Sequence, residues 1–158
     1  MIVNKLTEAK FFLGKMEECG CNAFEFNCYF SAFVTSARSF TWSVKKHMSA
    51  MKGFDGFWEK LMSGKLNNET AKKFVRIRNF IEKEVDNRII GGSVWKEGKE
   101  IKTKYFFKND TEKDVLSWCS EYFVMLEKVR ELIVKRFKLD APSSEYYWQD
   151  IIGLGGPV

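Results

Sequence analysis

Two pairs of neighbouring polar residues carry the clearest candidate chemistry in the sequence: Arg78-Asn79, followed by Lys83-Glu84. Both begin within residues 71–85, where the apolar spacing predicts one amphipathic helix. A guanidinium group binds phosphate oxygens through two parallel hydrogen bonds, and a Lys ammonium group stabilises phosphate as a point charge. Arg78 is therefore a candidate for contact with phosphate or RNA.

The position of Arg78 on this helix is unusual. At 100° per residue from Phe74, the apolar residues fall within about 60° of it and Arg78 within about 40°. The apolar residues in question are Ile77, Ile81 and Val85. An uncompensated interior charge costs several kcal/mol, so an interior Arg needs a partner or a function. Two interpretations stay open: a phosphate or RNA contact at a dimer cleft, or a structural Arg paired with a carboxylate or carbonyl groups.

A second set of candidates lies near a predicted β-hairpin, at residues 93–107. Lysines are interleaved there with aromatic residues, a composition that suits phosphate contacts together with base stacking. The lysines are Lys96, Lys99, Lys102, Lys104 and Lys108, and the aromatic residues are Trp95, Tyr105 and Phe106. The alternative is a solvated face, because edge strands carry lysines to prevent aggregation. We predict that Arg78, Lys96, Lys102 and Lys104 contact nucleic acid.

The composition limits the classes of function. The net charge of +5, from 26 basic and 21 acidic residues, permits an RNA partner but does not require one. Polar residues interrupt every apolar run near the N-terminus, which predicts a cytoplasmic protein without a signal peptide or membrane span.

The four cysteines offer little sign of a metal site. Cys19 and Cys21 are separated by one residue, unlike the pairs in zinc knuckles, and the only histidine is His47. We therefore expect Cys19, Cys21, Cys28 and Cys119 to be reduced structural thiols, and we expect neither a metal nor a cofactor.

The elements that must position these residues are mostly helical. Fifteen Phe and five Trp against two Pro favour long helices. Helices are predicted at residues 5–19, 22–51, 57–62, 71–85 and, opened by Asp110-Thr111 and Asp114, in the region that follows. The fold class is mainly α, an antiparallel four-to-five-helix bundle with a small β-hairpin excursion. Residues 1–140 form the predicted domain, and 141–158 a tail with a short helix or disorder.

Three short segments, taken in order, resemble the bacterial branch of the HEPN superfamily. The long second helix carries an Ala-Arg-Ser-aromatic-Thr segment, and a later helix carries Arg-Asn. The last helix, which follows an aromatic strand, carries the third matching segment. These segments are Ala37-Arg38-Ser39-Phe40-Thr41-Trp42, Arg78-Asn79, and Cys119-Ser120-Glu121-Tyr122 after Tyr105-Phe106-Phe107.

The resemblance implies a helical bundle, frequently a homodimer, and in many members a metal-independent ribonuclease acting as a toxin or in phage defence. The family's active motif is an Arg, usually followed by Asn, with a His after about four to six residues. Arg78 and Asn79 take the first two places, but Lys83, followed by Glu84, stands where the His would be. A Lys side chain has a pKa of about 10.4 and remains charged at neutral pH, so it is a poor base.

The missing His favours a noncatalytic HEPN-like protein that binds RNA or a partner protein, such as an antitoxin or a nucleotidyltransferase, in a toxin-antitoxin or phage-defence setting. The alternative is an active endoribonuclease that uses Arg78 with Lys83 or with a residue recruited across a dimer. Arg38 is expected to form an interhelical ion pair or a carbonyl contact.

Overall fold

Five helices and two strands make up the described part of the chain. The computed structural model describes the backbone of residues 2–83, 89–97, 100–108 and 110–139, and the side chains of 4–79, 103–108 and 110–139. The helices are α1 (Ile2–Glu18), α2 (Ala23–Met48), α3 (Phe54–Ser63), α4 (Glu69–Lys83) and α5 (Val115–Phe137). The strands are β1 (Ile89–Glu97) and β2 (Glu100–Phe107). The expected mainly α class is confirmed.

Local capping sets the starts of the long helices. The Asn22 side chain accepts a hydrogen bond from the Glu25 N–H at 3.1 Å, and the Asp114 side chain accepts one from Ser117 at 3.0 Å. Each bond satisfies one of the free N–H groups of a first helical turn. Asn22 was predicted as a cap and is confirmed. Asp114 caps α5 as expected, but Asp110 does not.

Helical spacing of apolar residues produces one hydrophobic core. The buried side chains recur every three or four residues, so that each helix turns one stripe inward. They are Leu6, Ala9, Leu13 and Met16 in α1, Phe26, Phe30, Phe33, Ala37, Phe40 and Val44 in α2, and Val115, Cys119, Tyr122, Leu126, Val129 and Ile133 in α5. Helix α3 adds Phe54, Trp58 and Leu61 to the same cluster.

The two strands pair antiparallel and lie against this core through β2. Ile89 pairs with Phe107 and Glu97 with Glu100, and the register shifts between Ile90 and Ser93. Strand β1 therefore begins at Ile89 rather than at residue 93. Gly91 and Gly92 lie within the strand, at the register shift.

Tyr105 attaches β2 to the connection between α1 and α2. Its ring stacks on Phe26 with centroids 4.0 Å apart, and its hydroxyl donates to the Gly20 carbonyl at 2.8 Å. Gly20 adopts a φ of +53°, a left-handed conformation that glycine takes without strain and that ends α1, as the sequence predicted.

Phe74 is the residue through which α4 joins the core. Its ring stacks on Tyr122 of α5 with centroids 4.3 Å apart and meets the edge of Phe33 of α2 at 6.1 Å. Only 2% of Phe74 is exposed. None of the helices in the described part combines the length and the apolar character needed to cross a bilayer.

Phe74 and Met62, an exposed residue of α3, provide a matched test of this arrangement. Phe74→Ala should lower the free energy of unfolding by about 3–5 kcal/mol, because it leaves a cavity between three helices. Met62 is 45% exposed, so Met62→Ala should change it by less than about 0.5 kcal/mol. Denaturant titrations of both variants measure the difference, and similar midpoints would contradict the placement of α4.

Candidate functional site

Helix α4 carries the Arg-Asn pair, and its first turn is fixed by Asn68. The Asn68 side-chain oxygen accepts from the Ala71 N–H at 2.8 Å, which caps the helix as the sequence predicted. Phe74 then anchors the second turn in the core. The rotation of α4 about its axis, and hence the direction of every candidate side chain on it, follows from these two contacts.

A polar cluster lies beside Phe74 and was not predicted. Lys73 forms an ion pair with Asp110, whose Oδ2 also accepts a hydrogen bond from Trp118 Nε1 at 3.0 Å. The Lys73 ammonium lies 4.1 Å from the Trp118 ring centroid and 5.0 Å from that of Phe107. We call Lys73, Asp110 and Trp118 the Lys73 junction. It ties α4 to α5 and to the segment after β2.

The Lys73 junction is built to keep Asp110 ionised. The hydrogen bond from Lys73 is the largest cause that lowers the pKa of Asp110, and the Trp118 bond adds to it, whereas partial burial acts in the opposite direction. About a fifth of each partner is exposed, 22% for Lys73 and 23% for Asp110. The pair is therefore partly shielded from water and should stabilise α4 more than an ordinary surface ion pair would.

A second lysine closes the outer side of Trp118. The Lys113 ammonium lies 4.1 Å from the Trp118 ring centroid and forms an ion pair with Glu121. The indole ring is thus contacted by two cations, each of which has its own carboxylate partner. Because both charges are compensated, this arrangement has the character of a structural support.

Arg78 does not occupy the interior position that the helical wheel predicted. The residue is half-buried, and its Nη1 makes a long contact of 3.4 Å with the Asn79 side-chain oxygen. Asn79 is exposed and Ile77 is half-buried. Among the α4 side chains that the structure describes, Ala71 and Phe74 are the buried ones. Among the described side chains of α4, Arg78 is therefore less buried than Ala71 and Phe74.

The structure describes less of the other two positions of the family motif, Lys83 and Glu84. Lys83 is the last residue of α4, but its side chain lies outside the described residues. Glu84 and Val85 lie wholly outside them. Their roles therefore remain predictions.

The strand register separates the candidate lysines. Positions 102 and 104 alternate with Tyr105, which is buried, so they belong to the face of the ladder away from the core. Lys104 is exposed and Phe106 is half-buried on that face. The position of Lys96 pairs with Ile101 and lies on the opposite face. The side chains of Lys96 and Lys102 lie outside the described residues.

This register changes the expectation for base stacking in one respect. Tyr105 was grouped with Trp95 and Phe106 as an aromatic residue near the lysines, but it is 4% exposed and packs on Phe26. Phe106 shares the outer face with Lys104 instead. We call Lys104 and Phe106, with exposed Lys108 at the strand end, the outer strand patch.

Among the described residues, Arg38 has neither an ion pair nor a carbonyl contact of the kind expected from the sequence. Its Nε is buried and has no hydrogen-bond partner among the described residues. Its charge acts on Tyr122, whose pKa burial nevertheless raises to about 12, with Arg38 lowering it only in part. In the Ala37–Trp42 segment, Phe40 is buried in the core and Trp42 is 64% exposed.

The thiols differ in environment. Cys119 is buried, and burial raises its pKa well above the usual range; burial also raises the pKa of the half-buried Cys19. Cys21 and Cys28 are exposed, and all four cysteines are free. Within the described ranges, no group of three or more His, Cys, Asp or Glu side chains is placed to hold a metal ion.

The sequence contained one signal that could have revealed the Lys73 junction. Two aspartates, Asp110 and Asp114, precede α5, and one helix start needs one capping side chain. The remaining Asp was free to pair elsewhere, but its partner lies on a distant helix, which spacing alone does not identify.

Comparison with protein-family models, with curated proteins and with solved structures gives no match to this chain. The site must therefore be judged from its own chemistry. Burial raises the pKa values of Tyr122, Cys119 and Tyr105, which are buried in the core, and that of half-buried Cys19.

The Lys73 junction predicts a pH-dependent stability. Asp110→Asn should lower the free energy of unfolding by about 1–3 kcal/mol at neutral pH, because it removes a charge-assisted hydrogen bond. The folded-state pKa of Asp110 is lowered, so the stabilisation is present above the unfolded value of about 3.9 and is lost as the pH falls through the folded value. Denaturant titrations between about pH 7 and pH 2.5 should show the two proteins converging in acid.

Glu131→Gln provides the control, since Glu131 is an exposed carboxylate on α5 without an ion pair among the described residues. It should change stability little at any pH. A deficit of Asp110→Asn that stays constant across the acid range would show that the charge of Asp110 is not what matters.

Proposed function

We propose that this chain is a HEPN-like protein that acts by binding RNA or a partner protein and does not cut RNA. The proposal includes the finer architecture of the family, an antiparallel four-to-five-helix bundle with a β-hairpin excursion. It is supported by the order of the three short segments along the chain and by the mainly helical fold.

The observation that carries the proposal is the outer strand patch. Exposed Lys104 lies beside half-buried Phe106 on the face of β2 that turns away from the core, and exposed Lys108 follows the end of the strand. Single-stranded RNA is bound by surfaces that combine phosphate contacts from lysines with stacking of bases on aromatic rings. Arg78, which is half-buried on α4, adds a guanidinium group suited to phosphate.

The absence of catalysis follows from the chemistry of proton transfer. Cleavage by the family's mechanism needs a group that moves a proton near neutral pH, and Lys83 stands at that position. His47 cannot substitute within one chain. Phe33 of α2 contacts Phe74 of α4. Measured along the helices from this contact, His47 is about 21 Å away on α2, whereas Arg78 is about 6 Å away on α4.

The setting that fits this proposal is a toxin-antitoxin or phage-defence system in the cytoplasm. There the protein would act as a homodimer with RNA, or with a partner such as an antitoxin or a nucleotidyltransferase. The interface is proposed at α4, where Val75 is 41% exposed, because HEPN proteins are frequently homodimers and Arg78 lies on this helix.

The outer strand patch should bind single-stranded RNA without cutting it. Replacing Lys104 and Lys108 by Gln should weaken binding about tenfold or more at about 0.1 M salt, and should reduce the slope of log K against log salt by about 1 to 2. Fluorescence anisotropy with a labelled oligonucleotide measures both quantities. Lys135→Gln, a change at an exposed lysine in the last turn of α5, is the matched control.

Equal weakening by Lys135→Gln would show that binding follows net charge and not the patch. The same RNA is also analysed for cleavage by the wild type, by Arg78→Ala and by Lys83→His. Cleavage by the wild type that Arg78→Ala abolishes would favour the alternative of an active ribonuclease.

The proposed interface at α4 predicts an assembly of about twice the chain mass of 18.5 kDa at micromolar concentration. A dimer interface of standard size buries about 1,600 Å² in total, so a charge placed in it should be disruptive. Light scattering should show Val75→Glu shifted toward the monomer and Trp42→Glu, on the exposed side of α2, unchanged. A monomeric wild type would contradict the dimer.

A further inference from the structure

A groove of about 550 Å³ separates α5 from the connection between α3 and α4. One wall is formed by Lys65, Asn68 and Thr70, and the other by residues of α5 between 120 and 128. Its volume falls within the range of sites for small molecules, which are concave and largely preformed. None of the contacts of the outer strand patch or of the Lys73 junction depends on the space inside it.

Asn68 holds the two walls together. Besides capping α4 with its oxygen, its amide nitrogen donates to the Lys65 carbonyl at 3.0 Å and contacts Met125 Sδ at 2.9 Å. Leu66, between these residues, is buried in the core. These contacts place the connection against α5 beside the groove.

The charge of the groove is positive and largely uncompensated. Each wall contributes one lysine, Lys65 from the connection and Lys128 from α5, and neither has an ion-pair partner among the described residues. The carboxylate that lines the groove, Glu121, is paired with Lys113. The lysines are thus the charges that remain available to an anion.

Neutral groups complete the lining. The hydroxyl groups of Thr70 and Ser120, one on each wall, make no hydrogen bond to the described part of the protein. Val124, which is 47% exposed, and Met125 supply an apolar surface beside them. A ligand that uses all of these groups must carry both an anionic head with several acceptor oxygens and an apolar portion.

We propose that this groove binds a small organic phosphate, with the phosphoryl group between Lys65 and Lys128 and the apolar portion on Val124. Phosphate oxygens accept hydrogen bonds from the two ammonium groups and from the Thr70 and Ser120 hydroxyls. The proposal is independent of RNA binding at the outer strand patch, because the two sites share no residue.

Phenyl phosphate is the probe, since it combines a phosphoryl group with an apolar ring. Titration into the full ¹⁵N-labelled chain should shift the backbone amide signals of Thr70, Ser120 and Val124 saturably. The double variant Lys65→Gln with Lys128→Gln should weaken binding about tenfold or more, and Lys135→Gln should leave it unchanged. Thermal unfolding of all variants confirms that they are folded.

Four results would overturn the proposal. They are equal weakening by Lys135→Gln, shifts that never saturate, inorganic phosphate or phenol binding as tightly as phenyl phosphate, and tighter binding of an oligonucleotide at the same amides. The last result would make the groove part of an RNA-binding surface. Failure of RNA binding at Lys104 and Lys108 would not affect the phenyl phosphate titrations, so the two proposals are tested separately.

Discussion

The parallel stacking of Phe74 on Tyr122 is the constraint from which the candidate sites take their positions. The two rings are 4.3 Å apart with an angle of 5° between them, and Phe33 closes the free edge of Phe74. A contact so tight fixes both the rotation of α4 and its position along α5. The preceding residue, Lys73, is then directed to Trp118, and Asn68 reaches Met125 a turn and a half earlier. The Lys73 junction and the groove are consequences of one aromatic contact.

The sequence predicted those parts of the fold that depend on neighbouring residues. The cap at Asn22, the stop at Gly20 and the apolar stripes of α2 and α5 are local patterns, and they appear in the structure nearly as spaced. The Lys73 junction could not be found in this way, because α4 and Asp110 are joined only through the packed core. Strand β1 begins at Ile89, earlier than the predicted residue 93, because a register shift accommodates Gly91 and Gly92 within the strand.

The sequence predicted on which side of α4 Arg78 lies, but not how deeply its side chain is buried. A helical wheel places Arg78 with Ile77 in the apolar stripe of α4, yet it carries no information on how far the core extends along the helix. Among the described side chains of α4, Ala71 and Phe74 are buried, whereas Arg78 and Ile77 are half-buried. Composition likewise grouped Tyr105 with the lysines of the strand, whereas the alternation of β2 buries Tyr105 and leaves Phe106 beside Lys104. In both cases the missing information was which neighbour covers the residue.

The distribution of charge supports the proposed anion binding. Lys5, Lys15, Lys73 and Lys113 each have a carboxylate partner, so their charges contribute little to the field beyond the surface. Lys65 and Lys128 have none among the described residues and line a fixed groove. Catalysis would instead require a group whose pKa is brought toward neutrality, and burial moves Tyr122 and Cys119 in the opposite direction. The proposal that the chain holds phosphate without proton transfer is therefore supported by two features: the lysines of the groove have no carboxylate partner among the described residues, and the weak acids Tyr122 and Cys119 are buried.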